Sequence, residues 1–115
     1  MGINDQVTDI SALRGFVNLT YLDIHSNNIQ DIGVVQELPE LIKFVAYKNK
    51  VEDLSPLVDN DKLQALFLFE NPVSDYQPLK EMEALKHLQV SKTAFDDESA
   101  KALKELLPEV NITFL

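Results

Sequence analysis

Apolar residues recur along this chain at unequal intervals, and the whole pattern repeats every 22 positions. Leucines stand at positions 19, 41, 63, 85 and 107. After each one, two further apolar residues alternate with other side chains, as Phe44 and Ala46 do in the second unit. Alternation with a period of two predicts a short β-strand with one buried face. Its return at a fixed period predicts a solenoid, in which one short unit stacks on the next.

The period divides the chain into units of a single domain. Residues 1–18 form a partial repeat, residues 19–40, 41–62 and 63–84 are full repeats, and residues 85–115 form a C-terminal capping region. In the partial repeat, four apolar residues are in register with later ones: Val7, Ile10, Leu13 and Phe16. Asn60 stands where other units have Leu38 or Met82, so we expect a local weakness there.

Two polar residue types also keep fixed places in the repeat. Asn27, Asn49 and Asn71 occupy one column. Because an amide both donates and accepts hydrogen bonds, stacked Asn side chains can satisfy the buried backbone groups of successive turns. Thr93 and Asp5 take this place in the fourth and partial units, which indicates weakening near the ends. Aspartates at 9, 31, 53 and 75 are expected to serve turn geometry.

The shared pattern, L-x-x-L-x-L-x-x-N-x-I-x-D-I-x-x-L-x-x-L-x-x, resembles the leucine-rich-repeat family. The 22-residue length and the segment 51–57 are similar to the bacterial internalin-type subclass and to the phosphatase-1-regulator type. The resemblance implies an α/β fold. We expect a right-handed solenoid with a curved parallel sheet of five or six short strands on its concave side, and turns or 3₁₀ segments on its convex side.

The fourth unit departs from the repeat after Thr93. The acids of residues 96–99 can cap a helix, and apolar residues with helical spacing follow them from Ala100 to Leu107. Pro108 would stop that helix. The sequence therefore predicts a capping helix over 97–107 and a last strand over 110–114 that offers Glu109, Asn111 and Thr113 to the concave face.

The concave face, the side of the sheet that points away from the core, is the most informative surface for function because the core does not constrain it. We predict that it binds a protein partner, through Tyr21, Asp23, His25, Lys43, Val45, Tyr47, Phe67, Phe69, His87 and Gln89. Tyr47, Phe67 and Phe69, with Val45 beside them, are expected to form one exposed aromatic patch with a polar rim. Aromatic residues also favour strands for structural reasons alone.

Composition excludes several classes of partner. The formal net charge of −9 argues against nucleic acid and against anionic membrane surfaces, which need clustered Lys and Arg. No apolar run is long enough to span a bilayer, so we expect no membrane insertion. The chain carries no signal peptide and no cysteine, which leaves the compartment open: cell surface, secreted or cytoplasmic.

The sequence predicts no enzyme, no metal site and no cofactor. His25 and His87 lie three strands apart, roughly 14 Å at the usual strand spacing, which is too far to share a metal. The same separation prevents Asp23, His87 and Ser91 from forming a catalytic triad. The three glycines of the chain form no phosphate-binding loop.

Protein–protein recognition through the concave face is therefore the expected function. The alternative is a structural or self-assembling segment, either part of a longer repeat array or a homo-oligomer formed through the uncapped N-terminal end, with no separate ligand. A third possibility, intracellular regulation of an enzyme, follows from the likeness to the phosphatase-1-regulator type. The sequence alone does not separate these roles.

Overall fold

The computed structural model describes residues 1–3 and 6–115. Within these residues, five parallel strands form one sheet in chain order. They are β1 (Tyr21–Asp23), β2 (Lys43–Val45), β3 (Ala65–Phe67), β4 (His87–Val90) and β5 (Asn111–Phe114). The predicted solenoid with its parallel sheet is confirmed. The expectation that Asp5 continues the asparagine column lies outside the described residues.

The return arcs between strands are built from turns and short 3₁₀ helices, as expected for a 22-residue unit. These helices span Ser11–Leu13, Gly33–Glu37, Ser55–Leu57, Gln77–Glu81 and Lys92–Ala94. Each of the first four follows one of the column aspartates. In the second full unit, for example, the Asp53 carboxylate accepts the Ser55 backbone N–H at 2.9 Å. The same contact recurs at Asp9, Asp31 and Asp75, so this column shapes the turn that starts each arc.

The core is a stack of equivalent apolar side chains from successive units. Leu22, Phe44, Leu66 and Leu88 are fully buried at one place in each strand. Phe44 is the largest of them, and its unit also contains Ala46, the smallest residue of the next buried column. The core volume that this unit fills therefore stays close to that of its neighbours. Burying a side chain of this size contributes about 1.5–3 kcal/mol, and the arcs add residues such as Ile29 and Leu57 to the same core.

The asparagine column ties neighbouring units together. Asn49 Oδ1 accepts the backbone N–H of Ile29 at 3.0 Å, and its Nδ2 donates to the carbonyls of Ile24 and Ala46 at 2.9 and 3.1 Å. Asn27 and Asn71 repeat these contacts one unit earlier and later. Each amide therefore bonds to its own turn and to the turn of the preceding unit, as the sequence predicts.

The last strand is shifted relative to the 22-residue period. Strands β1 to β4 pair residues 22 apart, but β5 pairs Leu88 with Ile112, 24 residues on. Continuing the 22-residue period would place Val110 beside Leu88 and would start a fifth unit at Leu107. This extension of the period is wrong, because Leu107 ends the helix instead. The helical arc contributes the two extra residues. An even shift preserves the faces, so Asn111 and Thr113 remain on the concave side while Glu109 precedes the strand.

The C-terminal helix α1 (Asp97–Leu106) agrees with the predicted span to within one residue. Asp96 and Ser99 form a reciprocal capping box, in which the Ser99 N–H donates to the Asp96 carboxylate at 2.7 Å. Leu103 buries the inner face of the helix. The Phe95 ring packs edge-on against Phe114 of β5, at 5.3 Å between centroids. The helix and the last strand thus close the core at this end.

The N-terminal end of the solenoid is more open. Residues 1–3 lie beside β1 through an isolated parallel bridge from Gly2 to Asp23, with the Asp23 N–H donating to the Met1 carbonyl at 2.7 Å. Phe16, expected in register with the core, keeps the backbone contacts of its column, but its side chain is 48% exposed. The sequence therefore predicts its backbone place correctly and its burial wrongly.

Asn60 lies inside the second arc and is only 2% exposed. Its Nδ2 donates to the carbonyls of Val35 and Leu38 in the preceding unit, at 3.0 and 3.1 Å. Its Oδ1 is buried without a hydrogen-bond partner among the described residues. The polar substitution in the core thus forms a second tie between units, but at the cost of one unsatisfied acceptor.

Candidate functional site

The concave face carries three columns of side chains, each with one residue from successive strands. The first is Tyr21, Lys43, Ala65, His87 and Asn111; the second is Asp23, Val45, Phe67, Gln89 and Thr113; the third, just beyond the strand ends, is His25, Tyr47, Phe69 and Ser91. All ten predicted partner-binding residues belong to these columns. They share one face, as the alternation predicts, but they do not form a single uniform patch.

Val45 is the exception among the predicted surface residues. It points to the concave side, between Asp23 and Phe67 in the strand register, yet only 5% of it is exposed. Four longer side chains flank it: Asp23 and Phe67 lie across the strands, Lys43 lies two residues before it on β2, and Tyr47 lies two residues after it, just beyond β2. A short side chain between longer neighbours on one face of a sheet is covered by them. Val45 is therefore support for this face and not an exposed contact.

Three rings of the third column form an aromatic stack: His25, Tyr47 and Phe69. The centroids of His25 and Tyr47 lie 4.7 Å apart with 17° between the ring planes, and those of Tyr47 and Phe69 lie 4.4 Å apart with 9°. Stacked aromatic pairs contribute about 0.5–1.5 kcal/mol beyond burial. All three side chains are half-buried, so each ring is held by its neighbour while an edge stays accessible.

The asparagine column fixes the backbone that carries this aromatic stack. Asn49 Nδ2 lies 3.3 Å from the carbonyl oxygen of Tyr47, and Asn27 Nδ2 lies 3.1 Å from that of His25. After each ring residue the chain enters the left-handed region, with φ of 59° at Ser26, Lys48 and Glu70. This turn lets the chain leave the strand and bring the asparagine under it. The scaffold therefore sets the spacing of the rings.

Asp23 holds the first ring of the aromatic stack in place. Its Oδ1 lies 2.5 Å from His25 Nδ1 and also accepts the His25 backbone N–H at 3.0 Å. Both contacts use Oδ1, so the carboxylate is turned toward its own strand. Asp23 thereby orients His25.

Lys43 lies over two rings instead of beside a carboxylate. Its Nζ is 5.1 Å from the centroid of Phe67 and 5.5 Å from that of Tyr21, within the range of a cation–π contact. In the described part of the chain, the ion pairs are Arg14–Glu37, Asp23–His25, Lys48–Glu70 and Lys62–Glu40, so Lys43 is in none of them. The predicted aromatic patch is thereby divided: Tyr47 and Phe69 belong to the aromatic stack, and Phe67 belongs to the Lys43 cluster.

A hollow of about 270 Å³ opens beside Lys43 on the same face. It is lined by Lys43, Ala65, Phe67, His87, Leu88, Gln89, Asn111 and Thr113. Ala65 is the smallest side chain of the first column and stands between Lys43 and His87, so its shortness leaves the space. This hollow was not predicted from the sequence. The signal was present, since a single alanine interrupts a column of larger residues.

A larger groove of about 410 Å³ lies away from this face, between α1 and the third arc. Tyr76, Phe95 and Leu106 are among its lining residues. Burial raises the pKa of the Tyr76 hydroxyl, which reflects the apolar surroundings. Asp75 is the one charged residue of the lining, and its carboxylate already accepts the Gln77 N–H. The groove follows from packing a helix beside a flat arc, whereas the lining of the concave hollow includes the polar side chains of Lys43, His87, Gln89, Asn111 and Thr113.

The two histidines of the chain lie far apart on the sheet. His25 follows β1 and His87 lies on β4, with two strands between them. Among residues 1–3 and 6–115, no three His, Asp or Glu side chains converge as a metal site requires. What the concave face brings together is a set of rings, one lysine and several amides and hydroxyls.

Comparison with known proteins agrees with this geometry. A family profile described as leucine-rich repeat matches residues 17–35. The crystal structure of internalin C2 from Listeria monocytogenes superposes with a TM-score of 0.76 at 30% sequence identity, over 96% of this chain and 48% of that one. The chain thus has a leucine-rich-repeat fold and is similar to the internalins.

Two further structures share the fold. Internalin F from Listeria monocytogenes matches with a TM-score of 0.72 at 22% identity, over 95% of the internalin-like chain and 38% of its own. A leucine-rich-repeat protein from Leptospira interrogans matches with a TM-score of 0.73 at 17% identity, over 99% and 37%. The internalin-like chain thus spans less than half the length of each of these structures. Curated protein sequences give no match to it.

Leucine-rich-repeat proteins are commonly protein-interaction modules and are typically non-enzymatic scaffolds. In the described residues of the internalin-like chain, no helix combines the length and apolar character needed to cross a bilayer. The family therefore suggests a protein partner.

Proposed function

We propose that this protein binds a protein partner through its concave face. Tyr47, Phe67 and Phe69 anchor the partner, while Tyr21 and Lys43 form the supporting edge. His25, Asp23, His87 and Gln89 complete the contact area, and Val45 supports it from below. The observation that carries this proposal is the aromatic stack, with its neighbouring Phe67–Lys43 cluster, on a face that the core does not need.

The rings suit an interface because they are already ordered. Aromatic side chains dominate interaction hot spots, where a rigid and partly apolar surface is covered by the partner. Side chains that are free before binding lose conformational entropy when they become fixed. Tyr47 is held between His25 and Phe69 at centroid distances of 4.7 and 4.4 Å, so little of that cost remains.

The polar residues around the rings favour specific recognition over non-specific hydrophobic association. The rings are half-buried, and they are flanked by Asp23, Lys43, Gln89 and Ser91. An apolar centre with a polar rim is the usual anatomy of a protein interface. Binding is preferred to catalysis here, because Asp23 and His25 are paired with each other beside β1, while His87 and Ser91 belong to β4 and its end, with β2 and β3 between.

Paired affinity capture tests the proposal. The bait is the wild-type protein, the Phe67→Ser/Phe69→Ser variant, or a matched control, Phe16→Ser/Val17→Ser, at the exposed N-terminal end. Each is incubated with cell lysates, and its fold is checked by circular dichroism and thermal unfolding. We expect a protein that the wild type and the N-terminal control retain and that the concave-face variant loses.

The two double variants make the result specific. Both remove two large apolar side chains, but Phe16 and Val17 are 48% and 51% exposed at the end of the solenoid. Equal capture by the wild type and by a folded Phe67→Ser/Phe69→Ser variant would remove the concave face as the binding site.

A second candidate, self-assembly through the N-terminal end, has its own observation. Met1, Phe16 and Val17 are all more than 40% exposed there, next to the free edge of the sheet at residues 1–3. Exposed apolar groups beside an unpaired strand edge favour association. Light scattering between about 10 µM and 1 mM would give a mass that rises with concentration, and Phe16→Ser/Val17→Ser would abolish the rise. A constant mass of 13.0 kDa would rule it out.

A further inference from the structure

Lys43 is a local exception to the charge of this molecule. The chain carries a formal net charge of −9, yet Lys43 stands on the concave face without a carboxylate partner among the described residues. Asp23, the nearest acid in the strand register, is engaged by His25. The ammonium group therefore keeps its charge available on this face.

Two rings hold the lysine in position. The Tyr21 and Phe67 centroids lie 5.5 and 5.1 Å from Nζ, so the cation sits above both. Contacts of this kind orient an ammonium group but do not satisfy its three N–H donors. A lysine that is already ordered loses less conformational entropy when it pairs with a ligand. The structure thus supplies a pre-positioned donor at the wall of a hollow.

The rest of the hollow fits the same chemistry. Its rim carries Gln89, Asn111 and Thr113, whose amide and hydroxyl groups can donate hydrogen bonds. The apolar Ala65 and Phe67 form its floor and wall. The space of about 270 Å³ is large enough for one side chain and small enough to exclude a whole element. An occupant with a short apolar stem and an anionic end matches this lining.

We infer that the hollow receives an aspartate or glutamate side chain of the protein partner, and that Lys43 forms an ion pair with it. This inference rests on the proposed function, because it names the residue that the concave face selects. A cationic side chain would meet like charge at Nζ. An apolar side chain would bury the ammonium group without a partner, which is costly.

Selection from a random 12-residue peptide library on phage, with immobilised protein, tests the inference without a known partner. Asp and Glu are expected to be enriched over the starting library at one fixed position of the selected peptides. A synthetic peptide with that Glu, and its Glu→Gln counterpart, are then titrated against the wild type and three folded variants. The variants are Lys43→Met, Ala65→Leu, which fills the hollow without changing charge, and Lys80→Met, a control at an exposed lysine of the third arc.

The change in the peptide and the change in the protein form a double-mutant cycle of binding affinities. Glu→Gln in the peptide and Lys43→Met in the protein should each weaken binding by about tenfold or more, as the loss of a charge-assisted contact predicts. Together they should weaken it little beyond either change alone. Ala65→Leu should weaken the Glu peptide similarly, and Lys80→Met should leave it unchanged.

Other outcomes separate the inference from the function on which it rests. Peptides that lose affinity with Phe67→Ser/Phe69→Ser, but not with Lys43→Met or Glu→Gln, would uphold the binding face and overturn the carboxylate pocket. Peptides that are indifferent to Phe67→Ser/Phe69→Ser, or a selection that yields no binder, would overturn both. Enrichment of Lys and Arg would overturn the assigned charge.

Discussion

At the scale of the residue, the asparagine column supplies the hydrogen bonds that each buried turn of the solenoid requires. Each turn leaves backbone groups away from water, and one amide can both donate and accept. Asn49 bonds to an N–H of the preceding unit and to carbonyls on both sides of the boundary between units. A leucine in that place would fill the volume but leave these groups unpaired. The column is therefore a requirement of the backbone and not a functional amide row.

Replacing Asn49 by alanine should therefore destabilise the fold strongly. The variant loses one accepted and at least two donated hydrogen bonds in a buried turn, and unpaired buried groups cost about 1–3 kcal/mol each. We expect a loss of roughly 3 kcal/mol in the free energy of unfolding, measured by urea denaturation. Asn28→Ala, at an exposed asparagine, is the matched control and should change stability by less than about 0.5 kcal/mol. Equal effects of the two would contradict the role assigned to the column.

Asn60 leads to the opposite prediction. The two carbonyls that its Nδ2 meets, at Val35 and Leu38, also accept backbone N–H groups of their own arc. Asn60→Leu would leave no backbone group unpaired, would remove the unsatisfied Oδ1 and would restore the residue type found at Leu38. Stability should rise by about 1 kcal/mol, visible as a higher urea midpoint. A lower midpoint would show that the tie between the arcs outweighs the unsatisfied acceptor.

At the scale of the element, strands were more predictable than the connections between them. Alternation identifies each strand and its buried face, because a side chain on a strand has only two directions. The register of β5 was not predictable in this way. The period places Val110 beside Leu88, but the two additional residues of the helical arc bring Ile112 there. A leucine at 107 keeps the numerical period while closing a helix, and no count of spacing separates these two uses.

The turns that start the arcs should make stability depend on pH. The pKa of the Asp53 carboxyl is lowered, chiefly by the hydrogen bond from the Ser55 backbone N–H and to a smaller extent by the Ser55 hydroxyl. The pKa values of Asp9 and Asp96 are lowered by the same kind of contact. A lowered folded-state pKa stabilises the protein above the unfolded value of about 3.9, and this stabilisation is lost as pH falls through the folded value.

Asp53→Asn separates this effect from overall charge. The amide oxygen can still accept the Ser55 N–H but does not titrate. We expect the wild type to be more stable than the variant at pH 6, with the difference vanishing as pH falls below about 4, measured as urea midpoints across the range. Asp59→Asn, at an exposed acid of the same unit, removes one charge as well and should not reproduce that change. A constant difference between wild type and Asp53→Asn at all pH values would contradict the assignment.

At the scale of the whole molecule, each unit contacts its neighbours and little else. The stability of such an array is close to a sum of unit and interface terms, so the ends are weaker than the middle. Hydrogen exchange followed by mass spectrometry should show the slowest amides in β2 and β3. Faster exchange is expected at residues 1–3 and in β5, which each have one strand neighbour. Uniform protection across all strands would mean that the solenoid opens only as a single unit.

The candidate site also had a predictable and an unpredictable part. Sharing of one face by Tyr47, Phe67 and Phe69 follows from the strand pattern. Their division into an aromatic stack and a lysine cluster does not, because it depends on side-chain rotamers that spacing does not specify. Val45 was predicted to be exposed for the same reason: its direction is set by its strand, but its burial is set by the reach of its neighbours.

The asparagine column also determines how such a chain can change its length. Asn49 is positioned to reach Ile24 and Ile29 in the coil before it, and Asn71 reaches Ala46 and Val51 in the same way. An insertion of 22 residues between two coils would present the next amide with an identical set of groups. An insertion of a few residues within a coil would displace every later amide, unless an arc absorbs it, as α1 does near the end. The middle units are thus equivalent for the asparagine column. Each inserted unit would add one strand, and so one residue to each column of the concave face, without a change in the core.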